Sequence, residues 1–242
     1  MSISAFDKLI LFLRKGELIK ESLSTGDKII IAIRLYLYLI LFSFLINLIT
    51  LALDYNPLPE SDIKQVGNVS AYLVFALYFI VPVYEEITFR LFLTKFKKST
   101  FIISLSLLVS YTIYWLTSNN LPFLSDSNSL LMRYAYLVLF ASLIGIIFFL
   151  LAKKINLKKI SRIWNDNYLI IFYSISLLFV MLHFKTELIA ISGIIGEVIY
   201  LIPILIFSLI LGFLRANFGI VYAIFFHLLF NLPSTLIRHF LL

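Results

Sequence analysis

The chain has 242 residues, of which 62% are apolar and 14% charged, with a mean hydropathy of +1.02 and no cysteine. A soluble domain is about half apolar and a quarter charged, and one core of this length could not hide so much apolar surface. The composition excludes a soluble domain, a disulfide scaffold and, at 17% aromatic residues, a disordered chain; the +7 net charge sits in short loops between apolar runs, a pattern of membrane orientation and not of nucleic-acid binding.

Residues 1–28 carry Asp7, Lys8, Arg14, Lys15, Glu17, Lys20, Glu21 and Asp27 around a short apolar patch, Leu9–Leu13. Charges on both sides of that patch do not make a signal peptide. The segment reads as a cytoplasmic amphipathic helix on the membrane surface, with Phe6, Ile10 and Leu13 towards lipid. Residues 29–242 read as a single transmembrane helical domain. A helix needs about 20 apolar residues to cross a hydrocarbon core of about 30 Å. Runs near 29–53, 69–95, 100–118, 129–152, 167–184, 188–213 and 217–237 qualify, and Pro233 is a candidate stop for the last. The expected fold is therefore all-α: a polytopic transmembrane bundle of about seven spans.

Basic residues alternate from loop to loop. The N-terminal segment holds Lys8, Arg14, Lys15, Lys20 and Lys28, whereas the next loop has only Lys64 among Asp54, Glu60 and Asp62. Lys95, Lys97 and Lys98 follow, then a loop from Ser118 to Ser129 without a basic residue, then Lys153, Lys154, Lys158, Lys159 and Arg162. Lys185 and Arg215 mark the last two connections. The positive-inside rule places the N-terminus and the loops near 97, 157 and 215 in the cytoplasm, in a multi-pass protein of the cytoplasmic membrane.

A charge at the bilayer centre costs about 2.5–3.5 kcal/mol on insertion scales, so polar residues inside the runs need a reason. The second run contains Glu85, Glu86 and Arg90. Glu86 and Arg90 are four apart and face each other as an ion pair, acid before base. Glu85 lies about 100° away around the helix, without a partner in its own segment, and has the character of a general acid or base. Of three histidines, His239 lies close to the chain end, His183 closes the apolar stretch from Ser174, and His227 shares a face with Asn231 one turn later. With continuous helices at 1.5 Å per residue, Glu85 stands about 15 Å above Lys95, His227 about 18 Å and Asn231 about 24 Å from Arg215, and His183 about 24 Å above residue 167. Such convergence is expected of a site. Glu197, a further acid in an apolar run, is open to lining the same cavity or pairing with Arg133, with a packing role preferred.

With those residues in hand, the chain resembles the CPBP family of CAAX proteases and bacteriocin-processing enzymes, intramembrane glutamic endopeptidases that include type II CAAX prenyl proteases. The family motif E-E-x-x-x-R is matched by Glu85, Glu86 and Arg90, F-x-x-x-H by Phe179 and His183, and H-x-x-x-N/D by His227 and Asn231. Leu209–Arg215 and Asn217-Phe218-Gly219 look like the approach to the third motif. The likeness covers roughly residues 70–98 and 166–235. The chain departs from the family in having two further apolar runs, 100–118 and 129–152, between the first two motifs. Tyr111 and Trp115 occupy the F-x-x-x-H positions of the first of these without a histidine, so the second motif is placed at Phe179–His183.

The resemblance implies peptide-bond hydrolysis in a membrane-associated protein or peptide. It assigns Glu85 and His183 to activating water, His227 and Asn231 to the oxyanion, and Glu86, Arg90 and Phe179 to supporting the site. No cofactor is implied, and the absence of cysteine removes a thiol mechanism. Two histidines and a glutamate are also a catalytic zinc set, although H-E-x-x-H is absent, so zinc stays open. Two non-proteolytic readings remain beside these. One is a regulatory or immunity factor that binds other membrane proteins. The other is a proton-coupled carrier, disfavoured because no repeat or matching pair of broken helices is present.

Overall fold

The structure, a computed structural model, describes residues 4–19, 23–52, 71–117, 130–151, 156–184 and 191–240. Regular structure among them is entirely helical: α1 (Ala5–Lys15), α2 (Thr25–Ala52), α3 (Ala71–Phe89), α4 (Lys98–Thr117), α5 (Leu130–Leu151), α6 (Leu157–Asp166), α7 (Tyr168–Met181), α8 (Ile191–Phe218) and α9 (Ile220–Phe240). Each apolar run of the sequence holds one helix, from the 14-residue α7 to the 28-residue α2 and α8. By length and composition α2 and α8 can cross a membrane, and α6 with α7, bent by 82°, would make a third span. The loops 53–70 and 118–129 and Lys185, which carry part of the charge alternation, lie outside the described residues. The chain divides into two compact units, Met1–Tyr84 with Phe172–Leu242, and Glu85–Ile171.

In the first unit α8 packs on α2 and α9, and α1 packs on α2 and α8. α1 starts at Ser4, whose hydroxyl accepts the Asp7 N–H at 3.1 Å, and ends at Gly16, whose left-handed φ of 67° lets its N–H reach the Phe12 carbonyl. Phe6 is exposed, as the sequence suggests, but Ile10 and Leu13 are only half-exposed, and the buried stripe is Ala5, Leu9 and Phe12. Phe12 is fully buried, with its ring edge-on to Phe172 at 5.2 Å and to Phe213 at 5.5 Å. Tyr173 donates to the Leu13 carbonyl at 2.6 Å and Asn217 accepts the Ile19 N–H at 2.8 Å, so this segment is tied to protein as well as amphipathic.

α8 carries small residues where α7 comes close. A Cβ on Gly212 would fall 2.4 Å from the Phe172 ring, and Ser208 donates to the Ser176 carbonyl at 3.3 Å. The helix does not stop near 213 but runs to Phe218. Gly219, with φ of 108°, breaks it by donating its N–H to the Leu214 and Arg215 carbonyls. Arg215 therefore sits in the last turn of a helix instead of a loop, where the terminal carbonyls favour its charge. α9 also continues through the candidate stop Pro233, to Phe240. Proline removes the N–H that would bond the Leu229 carbonyl, and the Tyr36 hydroxyl donates to that carbonyl at 3.4 Å, beside a hydrogen bond from Tyr78 to Leu228.

In the second unit α4 and α5 pack against each other. α3 ends at Phe89, not near 95, and a turned segment leads to Lys97. α6 holds that segment. It was not expected, because Lys153–Arg162 reads as a basic loop, yet Asn156 caps it and Leu157, Ile160, Ile163 and Trp164 repeat at helical spacing. The Trp164 ring lies 5.4 Å from Phe92 and 5.5 Å from Phe101, and its N–H donates to the Thr94 carbonyl at 3.2 Å. Tyr168 donates to Leu93 and the Asn165 side chain accepts the Phe96 N–H. Replacing Trp164 by Ala is expected to cost about 3–5 kcal/mol, and by Phe, which keeps the ring cluster, about 1 kcal/mol more than wild type. Thermal unfolding in detergent checks this, and an unchanged midpoint for Trp164→Ala would remove α6 as the clamp.

Candidate functional site

The residues singled out in the sequence fall in the two units as two groups: Glu85, Glu86 and Arg90 in one, Phe179, His183, His227 and Asn231 in the other.

The first group forms the end of α3. Glu85, Glu86 and Arg90 are all buried, at 7%, 0% and 1% exposure, in a segment that also buries Thr88 beside Tyr84 and Phe89. The Arg90 N–H continues the helical pattern to the Glu86 carbonyl at 2.9 Å, which brings Arg90 Nε to 3.8 Å from Glu86 Oε2. The expected ion pair is present. The guanidinium carbon also lies 5.6 Å from the Phe89 ring centroid. Glu85 is not isolated in its segment as the sequence reading had it: Arg90 stands within electrostatic reach of Glu85 as well as Glu86. Ending the helix at Phe89 leaves late carbonyls without helical partners. Ser104 of α4 meets one of them, donating to Ile87 at 3.0 Å.

The second group joins α7, α8 and α9. α7 ends at Met181, and His183 lies in the turn that follows, half-exposed, with its N–H on the Val180 carbonyl. His183 Nδ1 is 2.8 Å from the Phe179 carbonyl oxygen. A carbonyl only accepts, so Nδ1 carries the hydrogen, and in the neutral ring Nε2 holds the free lone pair. Phe179 is 1% exposed, and its ring centroid lies 4.7 Å from that of His183 and 6.4 Å from that of His227. His227 is buried on α9 and flanked by Phe207 of α8 at 4.9 Å, edge to face. Phe207 in turn stacks on Phe230 at 4.4 Å. Asn231 is half-exposed one turn beyond His227. The second and third motifs, 44 positions apart from His183 to His227 (227 minus 183), thus meet over one phenylalanine.

The observed helix ends change the depth arithmetic. Glu85 is four residues from the end of α3, about 6 Å along the axis, His227 is seven residues into α9, about 11 Å, and Asn231 about 17 Å. His183 lies beyond the 14-residue α7, about 21 Å from its start. The common band of depths expected from continuous helices is not retained, because the turn after Phe89 and the extension of α8 replace stretches counted as helix or loop. What remains is the contact of both imidazoles with Phe179. Within either unit, among the described residues, no three His, Asp or Glu side chains stand close enough to hold a metal ion. Glu197 is fully buried on α8, and the Arg133 side chain lies outside the described residues. Phe207 was missed in the sequence, where one phenylalanine among many apolar neighbours gives no signal.

Compared with models of known families, with curated proteins and with solved structures, the chain gives no match.

The buried pair has a testable energetic signature. Arg90→Met leaves Glu86 charged and uncompensated and is expected to cost about 3–5 kcal/mol, whereas the double change Glu86→Leu with Arg90→Met recovers most of it. A double-mutant cycle on thermal unfolding measures this, and additive losses would contradict the pairing.

Proposed function

We propose that the chain is a CPBP-type intramembrane endopeptidase, similar to type II CAAX prenyl proteases. It is a multi-pass protein of the cytoplasmic membrane, with seven spans and a cytoplasmic N-terminus, that hydrolyses a peptide bond of a membrane-associated protein or peptide. The observation that carries this reading is the meeting of His183 and His227 on Phe179, because F-x-x-x-H and H-x-x-x-N are two of the three motifs the resemblance rests on. The buried Glu86–Arg90 pair beside Glu85 supports it, since a carboxylate dyad held at a helix end by one arginine matches the first motif, E-E-x-x-x-R. One helix on each of the seven apolar runs, two or three of them of spanning length among the described residues, and the alternation of basic residues along the sequence are consistent with this span number and sidedness.

The chemistry follows from proton positions. His183, fixed through Nδ1–H on the Phe179 carbonyl, offers Nε2 to a water, and the family resemblance assigns Glu85 to the same proton removal. Removal of a proton from that water gives the hydroxide that attacks the scissile carbonyl carbon. The oxygen that gains charge is met by hydrogens of His227 and Asn231, each donor contributing about 3–4 kcal/mol in comparable sites. The proton taken by the Glu85–His183 pair then passes to the departing amine as the C–N bond breaks, which restores both groups. Glu86 and Arg90 keep the end of α3 in place, and the aromatic wall of Phe179 and Phe207 holds the imidazoles and limits water.

The test compares membranes from cells expressing wild type with those expressing Glu85→Gln or His183→Ala, by mass spectrometry of newly formed peptide termini. New termini should vanish with either substitution, fall about 10²–10³-fold with Asn231→Ala, and persist in the presence of a chelator. Termini unchanged in Glu85→Gln would overturn the proteolytic reading and favour a membrane-protein binding factor. Loss on chelation alone would assign the hydrolysis to zinc.

A further inference from the structure

Outside the candidate site, the second unit contains a cleft of about 990 Å³ between α4 and α5. That volume is at the upper end of ligand clefts, which run from about 300 to 1,000 Å³. Its wall is formed by Ile102, Ile103 and Leu107 of α4 and by Val138, Ile146 and Phe149 of α5. Several of these are half or more exposed, so the cleft opens sideways from the helix pair. The two hydroxyls in the wall offer little to a polar guest, because Ser106 donates to the Ile102 carbonyl and Ser142 to the Val138 carbonyl, each at 2.7 Å. Gly145 stands opposite Ser106, where a Cβ would come within 3.3 Å of the hydroxyl oxygen, and this keeps the floor narrow.

One end is different. Lys97 and Lys98 line the mouth, and Lys98 Nζ lies 5.3 Å from the Phe149 ring centroid. Hydrocarbon along the wall and two cations at one end complement a molecule with an apolar tail and an anionic head. The length fits as well. From Lys98 to Leu107 the α4 wall is nine residues, about 14 Å, close to the depth of one leaflet of a core of about 30 Å.

We propose that this cleft binds an anionic phospholipid of the cytoplasmic leaflet, its acyl chain along α4 and α5 and its phosphate at Lys97 and Lys98. The inference rests on the membrane placement given above but on none of the proteolytic residues, so it stands or falls separately from cleavage. The test is native mass spectrometry of the full chain in detergent, incubated with phosphatidylglycerol or phosphatidylcholine of the same acyl composition. Phosphatidylglycerol adducts are expected to survive preferentially. Each of Lys97→Gln and Lys98→Gln should reduce their retention about fivefold, leaving phosphatidylcholine unchanged. Lys97 is exposed and its replacement leaves the fold intact, so it serves where Lys98→Gln disturbs Phe149. Equal retention of the two lipids, or phosphatidylglycerol retention unaffected by Lys97→Gln, would overturn the proposal.

Discussion

Everything in this chain is organised by one constraint: a polar group among apolar helices must find its partner within the protein, because neither lipid nor a leucine core supplies one. The hydroxyls of Ser106, Ser110, Thr112 and Ser142 each donate to the carbonyl four residues earlier. Tyr36 and Tyr78 donate to α9 carbonyls next to Pro233, and Trp164 and Tyr168 to the turn after Phe89. Where the group is charged the constraint tightens, and Arg90 with Glu86 is its strongest expression: both are buried, so each is tolerated only because of the other.

The same constraint explains which features the sequence made legible. Long apolar runs dictate helices because no other structure closes its own hydrogen bonds, and each run indeed holds a helix. The four-residue spacing of Glu86 and Arg90 is a property of one helix and was readable without tertiary information. Helix ends were not, since they depend on partners from elsewhere. α3 stops at Phe89 because Ser104 takes up a late helix carbonyl, that of Ile87, and Trp164 satisfies the Thr94 carbonyl in the turn that follows. α9 crosses Pro233 because Tyr36, almost two hundred positions away, reaches the orphaned carbonyl. α6 was hidden behind its lysines, although its apolar residues keep a helical period.

For the candidate site the division is similar. Glu85, His183, His227 and Asn231 were conspicuous because polar residues in apolar runs are costly. Their surroundings were not. The aromatic wall of Phe179, Phe207 and Phe230 is built from residues indistinguishable in sequence from the chain's other phenylalanines. Its effect is chemical as well as steric. The Phe179 carbonyl sets the His183 tautomer while its ring packs beside His227, so one residue governs both imidazoles. Gly219 contributes from a distance, since its positive φ fixes where α9 begins and so how far along the axis His227 and Asn231 stand.

The proposed hydrolysis requires Glu85 to act together with the two histidines, and the chain's lack of cysteine allows that to be measured without background. Glu85→Cys combined in turn with His183→Cys and His227→Cys, treated in native membranes with a short bifunctional thiol reagent, should give efficient intramolecular crosslinks. Glu85→Cys with Val221→Cys, an exposed position at the start of α9, serves as the control and should not. Crosslinking of the two histidine positions no greater than that of the control would contradict the account.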